Sequence, residues 1–228
     1  MIKTMYKLPT IIIQFDNEIE TQAIPFFRGA VIASLEKKDI LFHNHDEDKL
    51  RYSYPLIQYK RIHKKAAIMG IGKGIEVISP LLGSTADFSY QIGNEHVEMG
   101  IEFVNAYDNE IVLAENAGFR YRLYNWLPLN SENYNQYQEA ENLVERIGIL
   151  ERVLTGNILS FFKGAGLHID GQISLCITDI TGQRPYMYKN VIMMAFNIEF
   201  KANILLPQYI GIGKNASVGC GVLSRIEQ

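Results

Sequence analysis

Cysteine is scarce in this chain, with two in 228 residues, and no apolar run reaches the length of a membrane-spanning helix. Cys176 and Cys220 supply neither a disulfide framework nor a metal quartet; with apolar neighbours, each reads as a small core residue. The opening Met1-Ile2-Lys3-Thr4-Met5-Tyr6 lacks the apolar core and small-residue cleavage site of a secretory signal, and no lipidation motif closes the sequence. The expectation is a cytoplasmic protein with no membrane partner. What is present is apolar material: 47% of the residues, enough for the core of one large domain or two of ordinary size.

A formal charge of −3 argues against a nucleic-acid partner only on average. Acidic residues are missing altogether from Lys49 to Gly74, where Lys49, Arg51, Lys60, Arg61, Lys64, Lys65 and Lys73 gather. That leaves 15 basic residues against 25 acidic ones in the rest of the chain. Tyr52, Tyr54 and Tyr59 interleave with the cations, a mixture suited to phosphates and base faces together. A hairpin with a solvated face would explain the tyrosines but not the missing acids.

Near the end, Gly211-Ile212-Gly213-Lys214-Asn215-Ala216-Ser217-Val218-Gly219-Cys220-Gly221 sets four glycines at paired spacing around a lysine. Glycine alone makes close backbone approaches inexpensive, so the loop suggests either a phosphate cradle or a tight hairpin. It is neither of the common nucleotide loops. Gly213-Lys214 is not followed by Ser or Thr, and Ala216 stands where a dinucleotide fingerprint needs glycine.

Periodicity divides the chain into two similar halves. Pro9 to Phe15 reads as a strand, and Ile24 to Leu35 as a helix with Pro25 in its first turn. Tyr52 to Tyr59 and Ala66 to Ile71 read as a hairpin closed by the basic turn Lys60 to Lys65. Gly74 to Leu82 is a short helix and Ile101 to Leu113 a further strand, giving βαββαβ, one ferredoxin-like unit. The second half starts with the period-two strand Phe119 to Trp126. Leu143, Ile147, Leu150, Leu154, Ile158 and Phe161 then mark a long amphipathic helix ended by Gly164-Ala165-Gly166. Ile173 to Ile180 pairs with Val191 to Ile204, and Val222 to Ile226 closes the sheet. The second unit has no evident second helix, its place being taken by the glycine loop. Gly70-Ile71-Gly72-Lys73 echoes Gly211-Ile212-Gly213-Lys214. The fold class is therefore α+β, two tandem antiparallel ferredoxin-like units over 1–117 and 118–228.

Chemistry concentrates in Phe42-His43-Asn44-His45-Asp46-Glu47-Asp48, which carries two of the five histidines. A metal site would need a third ligand that nothing in the chain advertises. A polar surface loop is the bland reading. General acid–base work beside a bound phosphate suits the unperturbed pKa of histidine, and the neighbouring Tyr52, Lys73 and basic tract favour it.

Taken together, these features resemble the CRISPR-associated endoribonucleases that cut precursor transcripts within their repeats, members of the repeat-associated mysterious protein superfamily. The resemblance covers nearly the whole chain. It rests on the Gly211-to-Gly221 loop before the last strand, the two βαββ-type units, Phe27-Arg28-Gly29-Ala30, Leu41-Phe42-His43-Asn44-His45, and the segment Leu50 to Lys60. It implies cleavage without metal or other cofactor: the RNA's own 2′-hydroxyl attacks the adjacent phosphate, leaving a 2′,3′-cyclic phosphate and a 5′-hydroxyl. Carried over, the catalytic roles fall to His45 first and His43 second, with Tyr52 as partner and Lys73 as an electrostatic contributor.

No aromatic-rich RNP stretch of an RRM reader is present. Recognition of repeat RNA is therefore expected from the basic hairpin (Arg51, Lys60, Arg61, Lys64, Lys65) and the loop (Gly211, Gly213, Lys214, Asn215, Gly219, Gly221). Arg184, Tyr186, Tyr188 and Lys189 form a second basic aromatic group, suited to lining the RNA path or to capping a hairpin, with the cap preferred. Homodimerisation and association with CRISPR effector subunits are partnerships the resemblance leaves open. Two other classes are consistent with the residues: a non-catalytic subunit that holds guide RNA, and a ferredoxin-like protein binding a small phosphorylated ligand.

Overall fold

The computed structural model describes residues 2–34, 45–46, 49–50, 54–83, 88–92, 94–115 and 118–226. The chain divides into an N-terminal unit, Lys7–Asn109 with Ser217–Gly219, and a C-terminal unit, Met1–Tyr6, Glu110–Ala216 and Cys220–Gln228.

In the N-terminal unit β1 (Ile2–Glu18) leads through a short 3-10 turn into α1 (Ile24–Ser34). Pro25 sits in the first turn of α1, where its missing N–H costs nothing. Two two-residue strands, β2 (His45–Asp46) and β3 (Lys49–Leu50), pair with each other. The hairpin that follows, β4 (Ile57–Ile62) and β5 (Lys65–Ile71), turns on two residues only. His63 and Lys64 have φ of 49° and 70°, the mirror-image turn that matches strand twist. Lys60, Arg61 and Lys65 thus lie in strands, not in the turn expected from the sequence.

The expected helix over Gly74 to Leu82 is two short pieces, α2 (Gly74–Ile78) and α3 (Pro80–Gly83), because Pro80 cannot continue the hydrogen-bond ladder. A small hairpin, β6 (Phe88–Ile92) and β7 (Glu95–Met99), was not foreseen; β8 (Ile101–Ala114) completes the unit. Its sheet has the order β4-β5-β1-β8. One face packs on α1: Phe15 and Tyr59 meet Phe27 edge-on at 5.5 and 5.7 Å.

The C-terminal unit repeats the plan. β9 (Phe119–Trp126) is followed by α4 (Ser131–Glu139), which the sequence did not announce, and by α5 (Leu143–Gly164). Then come β10 (Leu175–Tyr188), β11 (Val191–Ala202) and β12 (Val222–Arg225). The order β10-β11-β9-β12 is that of the first sheet, strand for strand. Two antiparallel four-stranded sheets with helices mixed among them are tandem ferredoxin-like folds.

Leu150, Leu154, Ile158 and Phe161 of α5 are fully buried, as their spacing requires. Trp126 Nε1 donates to Asn157 Oδ1 at 3.0 Å, satisfying the indole inside this core. Tyr121 donates to Ile204 O and accepts from Leu206 N, each at 2.9 Å. One expectation fails here: Cys176 is exposed, since it stands on the outward face at the start of edge strand β10, whereas Cys220 is buried. No helix among the described residues is long and apolar enough to cross a membrane.

Candidate functional site

Of the catalytic candidates, His45 lies on β2 in register with Leu50 of β3, beside the Asp46–Lys49 pair. His43, Tyr52 and Arg51 lie outside the described residues. Lys73 is exposed at the start of α2, in helical conformation (φ −59°, ψ −21°). The turn that delivers it depends on glycines. Gly72 has φ 52° and its N–H donates to Pro9 O at 2.9 Å; a Cβ on Gly74 would lie 2.4 Å from Leu56 O.

The basic tract separates into cations used inside the unit and cations facing solvent. Lys60 is fully buried, which contradicts its expected place on an exposed RNA-binding turn. Strand β4 is buried on both faces here, so alternation does not bring Lys60 out. Arg61 donates from Nε to Ile19 O at 2.6 Å, tying β4 to the end of β1. Lys65 is paired with Glu102, which also accepts from Gln14 Nε2 at 3.1 Å; these two hydrogen bonds, Lys65's first, hold the Glu102 carboxyl below the usual range. Lys64 and Lys73 remain exposed.

Around Lys60 the sheet carries an unforeseen polar row. Strand register puts Thr10, Gln14, Gln58 and Lys60 on one face, opposite that of Phe15 and Tyr59, and all four are buried. Gln58 donates from Nε2 to Tyr54 Oη at 2.7 Å and to Pro55 O at 3.1 Å. Burial raises the Tyr54 phenol well above its ordinary pKa, against the opposing hydrogen bond from Gln58. Tyr54 is therefore a neutral hydroxyl two residues from the expected Tyr52. The only sequence signal for the row was the apolar company these polar residues keep.

The glycine loop shows why its glycines are there. In the C-terminal unit a Cβ on Gly221 (φ 60°) would stand 1.8 Å from Ile212 O, and one on Gly211 2.9 Å from Ala216 O. At Gly213 (φ 90°) it would meet Asn157 Oδ1 and Trp126 Nε1 at 2.9 Å. In the N-terminal unit Val218 bridges to Tyr59 in parallel, Tyr59 N donates to Ser217 O at 2.9 Å, and a Cβ on Gly219 would come within 2.6 Å of Ile24 Cδ1. The close approaches that demand glycine are thus contacts with the protein itself. Lys214 is the loop's exposed cation, and Asn215 holds the left-handed conformation (φ 57°).

The echo in the first half extends to geometry. Gly72 and Gly213, the second glycines of the two Gly-Ile-Gly-Lys runs, both have positive φ, and both isoleucines, Ile71 and Ile212, are fully buried.

Two family models match these two halves. Residues 6–110 match the Cas6b N-terminal domain and residues 113–226 the Cas6b C-terminal domain. The chain belongs to the Cas6b family. A crystal structure of Cas6b superposes with a TM-score of 0.84 at 27% identity, covering 97% of this chain and 100% of that one. A second, described as the CRISPR RNA processing endoribonuclease Cas6b, gives 0.71 at 27% identity over 97% of this chain and 100% of that one. An uncharacterised protein of Methanocaldococcus jannaschii is 29% identical over 140 residues, 61% of this chain and 88% of that protein.

The N-terminal Cas6b match contains the His-x-His segment, Tyr52 and Lys73, and the C-terminal match contains the whole glycine loop. Among the described residues no group of three or more His, Cys, Asp or Glu side chains is placed to hold a metal ion.

Proposed function

We propose that this chain, an endoribonuclease of the Cas6b family, cleaves precursor CRISPR RNA within its repeats by attack of a 2′-hydroxyl on the neighbouring phosphate. The bond from the 2′ oxygen to phosphorus forms as the bond to the 5′ oxygen breaks, leaving a 2′,3′-cyclic phosphate and a 5′-hydroxyl. A base takes the 2′ proton and an acid supplies one to the departing oxygen; each positioned transfer contributes about 10²–10⁴-fold. His45, or else His43, carries one of these transfers with Tyr52 as its partner. Lys73 adds positive charge for the phosphorane oxygens.

Two matched Cas6b domains spanning nearly the whole chain are the observation that carries this reading. The exposed Lys64, Lys73 and Lys214 are available to RNA phosphates, and binding through them weakens as salt rises.

The test is a gel assay in EDTA with repeat RNA, ordinary or 2′-deoxy upstream of the scissile phosphate. Cleavage of the first alone, with a cyclic-phosphate end, is the expected result. Cleavage of the deoxy substrate would rule out 2′-hydroxyl attack, and binding of both without cleavage would make the chain a guide-RNA holder.

A further inference from the structure

The C-terminal sheet has a second face, away from α5, and its side chains can be read row by row from strand register. Cys176, Lys201 and Arg120 share one row; Asp179, Glu199, Arg122 and Ser224 the next; Tyr124 and Val222 lie beyond. The buried partners Tyr121, Leu123, Phe196, Ile198 and Phe200 point the other way.

Glu199, with 16% of its side chain exposed, accepts from Arg122 Nε at 3.0 Å and Arg122 Nη2, and lies 4.0 Å from Arg120 Nη2. Arg122 Nη1 donates to Tyr124 Oη at 3.3 Å. One carboxylate thereby orients two guanidiniums that stay 42% and 44% exposed, beside an exposed Lys201 and a tyrosine ring that is 39% exposed.

We propose that this face binds a single-stranded segment of the RNA, its phosphates on Arg120, Arg122 and Lys201 and a base stacked on Tyr124. The inference rests on the RNA-processing reading above and adds a binding surface to it. Guanidinium forks held in place match phosphate oxygens two at a time. An aromatic ring among cations on an open sheet serves an unstacked base, which a duplex does not offer. An acidic protein surface would use the cations and leave the ring idle. Asp179 stands exposed on edge strand β10 and repels phosphate, so the RNA lies over β11, β9 and β12 and not over β10.

Anisotropy with 5′-fluorescein repeat RNA, made uncleavable by a 2′-deoxy at the scissile position, tests the surface. The double variant Arg120→Gln, Lys201→Gln is expected to bind more weakly and to lower the slope of log affinity against log salt by about 1.4, two single-strand phosphate contacts. Tyr124→Leu is expected to lose about 5- to 150-fold in affinity, and Tyr124→Phe, which keeps the ring, to retain most of it. Lys163→Gln, on α5, serves as the control for loss of one exposed positive charge away from this face. Parent-like affinity and salt slope in the double variant overturn the proposal, as does equal loss in Tyr124→Phe and Tyr124→Leu. If those variants still cut ordinary repeat RNA, the endoribonuclease reading survives that failure. A parent protein that neither binds nor cuts repeat RNA ends both.

Discussion

In the N-terminal sheet the face turned away from α1 buries Thr10, Gln14, Gln58 and Lys60, whereas in the C-terminal sheet the face turned away from α5 leaves Arg120, Arg122, Lys201 and Tyr124 accessible. The strand order is the same in both. Sheet topology therefore fixes which residues share a face but not what that face does. A buried lysine must be compensated inside the protein, so Lys60 is committed to structure. A solvated arginine pinned by one carboxylate keeps hydrogen-bonding capacity for a ligand. The composition of a basic tract hides this distinction, because Lys60 and Lys64 are the same residue type four positions apart with opposite fates.

The largest effect expected separates the halves by chemistry. If catalysis belongs to the N-terminal half, His45→Ala slows single-turnover cleavage by about 10²–10⁴-fold while repeat affinity holds, and Tyr124→Leu does the reverse. Parent rates in both His45→Ala and His43→Ala would break that division and move the search for the base elsewhere.

Next in size is a stability contrast between glycines. Gly221→Ala puts a Cβ 1.8 Å from Ile212 O at a φ of 60°, and the expected loss is about 4 kcal/mol or more in urea unfolding. Gly148→Ala, mid-helix in α5 with open space around the new methyl, is expected to stabilise by about 0.5–1 kcal/mol. Near-parent stability in Gly221→Ala would mean that the loop relaxes, and would revive the view that its glycines exist for a ligand.

Much of this was legible where local pattern and tertiary role agree. Phe119 to Tyr124 alternates because one side of β9 meets the α5 core, and the α5 stripe reads at three- and four-residue steps for the same reason. Asn125 (φ 50°) then shifts the phase of β9, so that Trp126 is buried too. Where they disagree, the sequence was silent. α4 has no apolar stripe and buries only Tyr137; what starts it is the Asn130 cap, which accepts from Asn133 N at 2.7 Å. The His63–Lys64 turn has neither the glycine nor the asparagine that announces such a turn. β10 continues past the expected Ile180 through Pro185, which an edge strand tolerates. The loop glycines were legible as a demand for close approach, but the partners, Asn157, Trp126 and Ile24, come from distant parts of the chain. Of the proposed site, the histidine segment remains a proposal read from the sequence, while the sorting of the basic tract's cations into buried, paired and exposed required the fold.

A smaller pair of substitutions sharpens the comparison of the two faces. Lys60→Ala removes a fully buried side chain and is expected to cost about 2 kcal/mol, whereas Lys201→Ala, on the exposed face, stays within about 0.5 kcal/mol of the parent. Their RNA affinities are expected to rank the other way. Denaturant midpoints and anisotropy measured on the same preparations check both orders, and equal stability costs would erase the distinction between the faces.

The smallest effect lies at the edge of the N-terminal sheet, where Glu102 of β8 accepts from Lys65 and Gln14. Its carboxyl is held below the ordinary range, chiefly by the Lys65 hydrogen bond, so the folded state favours the ionised form more than the unfolded chain does. The sign follows: this contribution is present above the unfolded carboxylate pKa and disappears as pH falls through the lower, folded value. Glu102→Gln should flatten the acid limb of the stability profile and leave the neutral region little changed, because the pair is exposed and salt screens it. An acid limb identical to the parent's would mean that the Lys65 contact holds no preference for the charged carboxylate. The acid sensitivity of this sheet would then have to come from carboxylates other than Glu102.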